Sequence, residues 1–467
     1  MRPTPFSTLF ASVALFALPS SGALAGPELV RVHRQPGDAG ELMPVRLLAD
    51  LPAAARDLAP APRSRFGGDA RQKRTATGFF RVEKSASGRW WLVDPEGHPY
   101  FNIGVAVVSP TVGRSETALA ARIARYGDEA AWAARTAEEL RALGFNGTGA
   151  WSADRHLRAG PEPLPYTVVW NFMSGYGRKR GGTYQLPGHI GYPEHAIFVF
   201  DPEFPAFCEQ HAENLAATRD DPYLLGHYSD NELPFRANSL DNFLRLPSDQ
   251  PGGRAARDWL SARRGPGADL AAEPSAEERA AFLELIVDRY FSIVSAAIRR
   301  VDPNHLFLGS RLHGQALRQK SVWVAAGRHV DVIAANVYHM WTPDRALFAD
   351  WAAWSGKPFL VTEWYAKGMD SGLTNHSGAG WTVATQAERG KFYQTFTLGL
   401  LETPTCVGWH WFRHLDNDPT DLSTDPSNRD SNKGLLNIRY EPYAELTAAM
   451  REINERAYRL IEYLDAR

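Results

Sequence analysis

The chain is poor in cysteine, in net charge and in long apolar runs, and each shortage removes a class of protein. Its 467 residues include two cysteines, Cys208 and Cys406. They stand far apart, and neither has a second Cys or a His at zinc-ligand spacing. Two free, buried thiols are therefore expected, with no disulfide framework and no structural metal. The formal net charge is −2, which offers nucleic acid or an anionic membrane no electrostatic hold. Past the N-terminus no segment reaches the roughly 20 consecutive apolar residues that a spanning helix needs, so no membrane span is expected in the mature protein. Also missing are a Walker-type phosphate loop, His-Glu-x-x-His, Gly-x-Ser-x-Gly, an EF-hand loop and any internal repeat.

What is present begins with a signal-peptide pattern. Arg2 gives the basic start, residues 9–18 are apolar, and Ala23-Leu24-Ala25 is a small-x-small cleavage site before Gly26. The apolar run is too short for an anchor, and no Cys follows the site to carry a lipid. Residues 1–25 are thus expected to be removed on export to the periplasm or medium. Residues 26–75 form a Pro/Arg-rich leader, with nine Lys/Arg against five Asp/Glu between 31 and 74. Its weak periodicity suits a segment that wraps the domain or stays mobile.

From Gly78 the pattern changes. Residues 79–83 and 89–93 read as a β-hairpin turning at Ser87-Gly88. Eight short apolar strands follow, at 101–106, 144–150, 166–172, 224–231, 305–311, 332–337, 359–363 and 407–412. Between them lie helix-period stretches such as 131–143, 280–300 and 386–401. Strands alternating with helices imply parallel βαβ units, and eight units imply an α/β fold closed as a (β/α)₈ TIM barrel over residues 76–460. An open doubly wound sheet would carry a Gly-rich turn after its first strand, and none is present. Residues 173–197 and 233–275 are long inserts where βα loops frame a barrel's catalytic face.

Two glutamates stand at strand ends on that face. The fourth strand closes on Asp230-Asn231-Glu232 and the seventh on Thr362-Glu363-Trp364. A carboxylic acid there can protonate a glycosidic oxygen, and a second can attack the anomeric carbon. Glu232 is expected as acid/base with a raised pKa, and Glu363 as nucleophile about 5–5.5 Å away. Asn231 is placed to bond a sugar hydroxyl and Tyr338 to bond Glu363. Arg311 and nearby His313, at the end of the fifth strand, are expected to bind substrate. In the eighth, Trp409 and Trp411 alternate to one face, so that Trp411 is either a sugar-stacking floor or core. His227 is read either as substrate-binding or as a core histidine. The 14 Trp, 16 Tyr and 23 Phe suit sugar stacking as well as they suit a core. The basic run Arg178-Lys179-Arg180 meets either solvent or an acidic substrate. The Asp/Asn-rich stretch 416–430 is read as a solvated loop, with Ca²⁺ binding as the lesser alternative.

These segments resemble the clan A glycoside hydrolases, and among them the catalytic domain of glycoside hydrolase family 50, the β-agarases. The resemblance is carried by Gly88 to Pro99, Leu143-Gly144-Phe145-Asn146, Asp221 to Gly226 running into Asp230-Asn231-Glu232, Asp331-Val332-Ile333 leading to Asn336-Val337-Tyr338, Lys357-Pro358 through Glu363, and His410-Trp411-Phe412. It covers roughly residues 78–455. It implies a retaining double displacement on β-linked galactose units with no cofactor, a poly- or oligosaccharide as the partner, and Asn146 among the substrate-binding residues. Two alternatives stay open: another clan A activity (β-galactosidase, β-glucanase or β-mannanase), or a barrel that binds carbohydrate without cleaving it.

Overall fold

The structure is a computed structural model and describes residues 28–467; the signal-peptide pattern lies outside the described residues. Its centre is one parallel sheet of eight strands. In chain order these are β1 (Asn102–Val105), β2 (Gly147–Thr148), β3 (Tyr166–Val169), β4 (Leu224–Tyr228), β5 (Leu306–Phe307), β6 (Ile333–Asn336), β7 (Phe359–Glu363) and β8 (Cys406–Trp411). Each falls inside, or within one residue of, its expected span. Neighbours run from β5 through β4, β3, β2, β1, β8 and β7 to β6. The two end strands approach each other. Ala334 N–H donates to Leu308 C=O at 3.1 Å, and Leu312 and Asn336 N–H donate to Ala334 and Leu312 C=O at 2.8 Å each. The arrangement is a mixed α/β fold consistent with a barrel.

Two cores follow from the alternation of side chains. Leu225, Leu308, Ala334, Leu360 and Val407 form the interior, joined by Phe80, Leu92 and Tyr100. Leu92 and Tyr100 lie in, and Phe80 directly before, a three-stranded antiparallel sheet, Arg81–Lys84, Trp90–Val93 and Pro99–Tyr100, which plugs the end where the strands begin. The other core lies between strands and helices, with Ile103, Val105, Phe307, Ile333, Phe359, Val361, Trp409 and Trp411 facing outward. The longest helix, Ala276–Val301, starts on a capping box from Ser275 and Glu278, and Gln386–Leu401 starts on the matching pair Thr385 and Glu388.

Residues 28–75 are held against the domain. Leu29–Val32 pairs with Glu41–Pro44, and His33 exchanges two backbone hydrogen bonds with Thr382. Val30, Val32, Val45 and Leu48 are buried, Leu48 N–H donates to Gln394 Oε1 at 2.9 Å, and Arg71 reaches Glu462. The segment thus crosses the last two helices towards the plugged end. Both cysteines are buried free thiols. The inserts build their own structure: a helix Phe172–Arg180 and a hairpin Tyr184–Leu186/His189–Gly191 in the first, helices Ser239–Arg245 and Pro251–Arg264 in the second.

Candidate active site

The strands end on one side around a cavity of about 390 Å³ lined by Trp151, His189, Asn231, Glu232, His313, Tyr338, Glu363, Tyr365, Arg413 and Lys433, among others. Glu363 is the last residue of β7, so its position is set by the sheet itself. Glu232 lies four residues past β4, and a buried anchor places it: Asp230 accepts Met173 and Ser174 N–H at 2.8 and 3.0 Å and the Tyr290 hydroxyl at 2.6 Å. The N-terminal turn of the helix Phe172–Arg180 therefore grips the loop that carries Glu232. Around the rim Val107, Trp151, Asn171, Glu232, Arg311 and His339 all have φ between 51° and 61°. Six residues in a conformation that side chains disfavour, each just past a strand end, mark the rim as a place where packing overrides local preference.

A hydrogen-bonded ring ties the two glutamates together. Arg311, 0% exposed, pairs with Glu363 Oε1 at 2.7 Å and donates to Asn231 Oδ1 at 3.0 Å. Asn336 Nδ2 donates to Glu232 Oε1 at 2.8 Å and to Asn231 Oδ1 at 3.2 Å, while its own Oδ1 accepts the Thr362 hydroxyl at 2.7 Å. The Tyr338 hydroxyl donates to Glu363 Oε2. Both oxygens of Glu363 are thus held, and Asn231 keeps its amide donors for the cavity.

The electrostatics separate the two carboxyls. Burial, and then the nearby charge of Glu363, push Glu232 well above the usual carboxylate range, against the Asn336 hydrogen bond and Arg311. His313 and His189 face Glu232 Oε2 at 3.7 and 3.9 Å. Burial lowers both imidazoles below their ordinary value. Burial pushes the Lys433 ammonium down to about 7, with Arg413 adding to the fall and Glu363 opposing it.

Glu232, Glu363, Asn231, Tyr338 and His313 therefore gather at one cavity as expected from the sequence. Arg311 and Asn146 depart from expectation, and for Trp411 and His227 the core alternative holds. Arg311 does not line the cavity; it stands behind Glu363 and Asn231. Trp411 is core: it is 0% exposed, its indole donates to Lys433 C=O at 2.9 Å, and it packs against Trp364. Gly408 has φ 153°, and the β7–β8 register shifts beside it. That bulge gives the interior position to His410, which bonds Asn102 Oδ1 at 2.6 Å. Asn146 is 2% exposed and serves the backbone of Ile103, Phe101 and Gly67, so it ties β1 to the leader away from the cavity. His227 is also structural. Its Nδ1 accepts the Trp170 indole N–H at 2.9 Å and its Nε2 meets Asp302 Oδ2 at 2.9 Å, and the same Asp302 oxygen meets His305 Nδ1 at 2.8 Å. His227, Asp302 and His305 are close enough to hold a metal ion, but every ring nitrogen already has a protein partner, His305 Nε2 taking Asp221 C=O.

In the stretch 416–430 the acidic residues serve the protein's own groups. Asp416 accepts Lys433 and Gly434 N–H, Asp418 accepts the Ser115 hydroxyl, and Asp421 accepts Arg114 N–H. Arg180 pairs with Asp201.

Sequence reasoning missed Trp151, His189, Tyr365 and Lys433. Trp151 is the exposed ring on the rim, 39% accessible, with the Arg311 guanidinium 4.3 Å from its ring centre. It follows directly on the apolar run of the second strand, the same signal that singled out Asn231-Glu232. His189 comes from a three-residue hairpin strand in the first insert and Lys433 from a loop, both too short for a periodicity to point inward.

No family model matches the sequence. β-Agarase B of Vibrio sp. (strain JT0107) is 26% identical over 497 residues, covering 85% of this chain and 50% of that protein. β-Agarase A of the same strain is 26% identical, covering 80% of this chain and 45% of that protein. The chain thus spans about half the length of the curated relatives it matches. Among solved structures, an exo-β-agarase superimposes with a TM-score of 0.73 at 23% identity, covering 89% of this chain and 71% of that one, a likeness of fold. The crystal structure of BpGH50 superimposes with a TM-score of 0.81 at 30% identity, over 94% of this chain and 96% of that one. With that identity over nearly the full length of both, the chain belongs to glycoside hydrolase family 50.

Proposed function

We propose that the chain is a retaining, agarase-like β-glycoside hydrolase that cleaves β-linked galactose-containing polysaccharide or its oligosaccharides on a closed (β/α)₈ barrel. One observation carries the reading: Glu232 and Glu363 share a cavity, and one is kept protonated by burial and charge while the other is held at both oxygens by Arg311 and Tyr338. Opposite protonation of two carboxyls is what double displacement needs. The agarase names of the Vibrio relatives support the galactose substrate. The hydrogen bonds between the end strands support closure of the barrel.

In the first step a Glu363 oxygen bonds to the anomeric carbon as the bond from that carbon to the leaving sugar breaks. Glu232 gives its proton to the departing oxygen. Because Oε1 of Glu232 accepts from Asn336, the proton sits on Oε2. In the second step Glu232, now a carboxylate, takes a proton from water. The water oxygen bonds to the anomeric carbon, and Glu363 leaves. The Asn231 amide donates to the hydroxyl beside the reacting carbon, a bond that strengthens in the transition state. The exposed face of Trp151 offers a stacking surface at the rim. Residues 1–25 are assigned as an export signal, 26–75 as a leader and 76–460 as the catalytic domain. Export to the periplasm or medium follows from that signal.

The test is product release from agarose, porphyran, galactan, β-glucan and mannan and their oligosaccharides, run beside Glu363→Ala. Cleavage of galactose-containing chains by wild type and not by the variant is expected. Cleavage of β-glucan or mannan alone would overturn the substrate, and equal turnover by the variant would overturn the nucleophile.

A further inference from the structure

Two basic side chains line the catalytic cavity with no carboxylate at ion-pair distance among the described residues. Lys433 is 2% exposed and Arg413 9%, both face the cavity, and neither takes part in an ion pair among the described residues. The other buried cations nearby have spent their donors. Arg311 pairs with Glu363. Arg389 donates to Ala366 C=O, Gly434 C=O and Gln386. Lys367 places its ammonium 3.1 Å from each of three carbonyls, of Asn375, Ser377 and Gly378. Among the described residues, Lys433 has three ammonium donors and one protein acceptor, Asn428 Oδ1. Arg413 donates to Asn417, and its buried Nε has no partner among the same residues.

Lys433 is also held firmly in place. Asp416 accepts its backbone N–H at 2.7 Å, and its C=O takes bonds from the Trp411 indole at 2.9 Å and from Arg413 N–H at 3.2 Å. The ammonium lies 4.8 Å from the Tyr365 ring centre and 5.3 Å from that of Phe412, so the stem is clamped between aromatic rings. Tyr365 packs on Tyr338, the phenol bonded to Glu363. A sugar whose anomeric carbon meets Glu363 therefore lies within reach of this cation. Glu363 shares the cavity, but no carboxylate comes within ion-pair distance of either group among the described residues, so positive charge buried here is only partly balanced, which is costly. Hydroxyl groups of a neutral sugar do not repay that cost, whereas an anion does.

We propose that Lys433 and Arg413 form a subsite for an anionic substituent, a sulfate ester or a carboxylate, on the sugar at the cleaved bond. The proposal rests on the hydrolase reading above and narrows its substrate to acidic galactose-containing chains. It also places acid recognition at the floor of the cavity and not on the basic run Arg178-Lys179-Arg180.

The experiment uses three disaccharides with the same scissile bond, whose sugar at that bond is galactose, galactose 6-sulfate or galacturonate. Wild type is expected to cleave one acidic form with a kcat/KM roughly ten- to hundredfold above the neutral form, the range of a charge-assisted hydrogen bond, and the better of the two identifies the anion. In Lys433→Met the ratio falls towards one, and in Lys433→Arg much of it returns. The wild-type ratio decides even if Lys433→Met fails to fold. A neutral substrate cleaved as well as both acidic ones overturns the subsite and leaves the hydrolase standing. An acidic preference that survives in folded Lys433→Met overturns the assignment to Lys433. Cleavage of none of the three, with other galactose chains also intact, overturns the hydrolase reading and the subsite with it.

Discussion

Replacing Glu363 by Gln removes a charge and almost no volume, so it isolates one of the two forces on Glu232. Burial is the larger force and the charge of Glu363 the next. At the separation of about 5.5 Å that a retaining pair adopts, and at an effective dielectric of about 20, two unit charges repel by about 3 kcal/mol, which is about two pKa units. Loss of the Glu363 charge also leaves Arg311 without its counter-ion, and an unbalanced guanidinium pulls Glu232 in the same downward direction. The pKa of Glu232 is therefore expected to fall by about two units in Glu363→Gln while staying above the ordinary value, because burial is untouched. Carbon-13 resonances of labelled glutamate side chains, followed over pH in wild type, Glu363→Gln and Glu232→Gln, identify the group and its midpoint. A midpoint that does not move would show that the carboxyls do not sense each other, and the acid–nucleophile pairing would fail. A fall all the way to an ordinary carboxyl would show that burial has no part in raising it.

Three further outcomes follow from the same geometry. Glu232 binds its proton more tightly in the folded chain than in the unfolded one. Stability is therefore fully present below the unfolded pKa of about 4.3 and is lost as pH rises towards the raised folded value, by up to about 1.4 kcal/mol per pH unit; Glu232→Gln should gain on wild type in denaturant midpoint as pH rises through that window, and parallel curves would refute it. Tyr338→Phe removes a hydrogen bond to the charged Glu363 and should lower kcat/KM roughly 10- to 100-fold with the melting temperature nearly unchanged; an unaffected rate would show that Glu363 does not need the phenol. Trp411→Ala should cost about 3–5 kcal/mol of stability, as for a fully buried indole, whereas Trp151→Ala should raise KM roughly two- to tenfold at small cost to folding; the reverse pattern in paired melting and kinetic measurements would restore Trp411 as the sugar floor.

Much of the fold was legible because its signals are local. The strand 359–363 and the helix 386–401 match the structure to the residue, since a short apolar run and a helix that starts on its own Thr385–Glu388 capping box need little tertiary context. The third, fourth and fifth strands end earlier than their apolar patterns predict, at Val169, Tyr228 and Phe307. There the chain leaves the sheet yet stays apolar or buried, as in Ser229 and Asp230, because the loops that follow are packed beneath the inserts. Hydropathy reports burial, and at these ends burial and pairing part company.

The site was legible to the depth that strand ends reach and no further. Glu363 is the last residue of β7 and Asn231-Glu232 lies just past β4, so an apolar run with a carboxylate at its end located both. Facing was harder, because period-two alternation holds only while the ladder is unbroken. Register shifts beside Gly408 and between Leu224 and Gly226 each change which side chains point inward, and they account for Trp411 and His227 facing the helix layer. The left-handed residues of the rim add a second reason. Glu232 at φ 54° and Arg311 at φ 51° hold conformations that their own sequence disfavours. They are imposed by Asp230 on its helix terminus and by the ring of Asn231, Asn336 and Arg311, groups 80 or more residues apart in the last case. A geometry enforced from that distance leaves no local trace, and the cation pair at Lys433 and Arg413 is placed in the same way, by Asp416 and Trp411. The residues that hold the two glutamates had to be found in three dimensions, whereas the glutamates themselves did not.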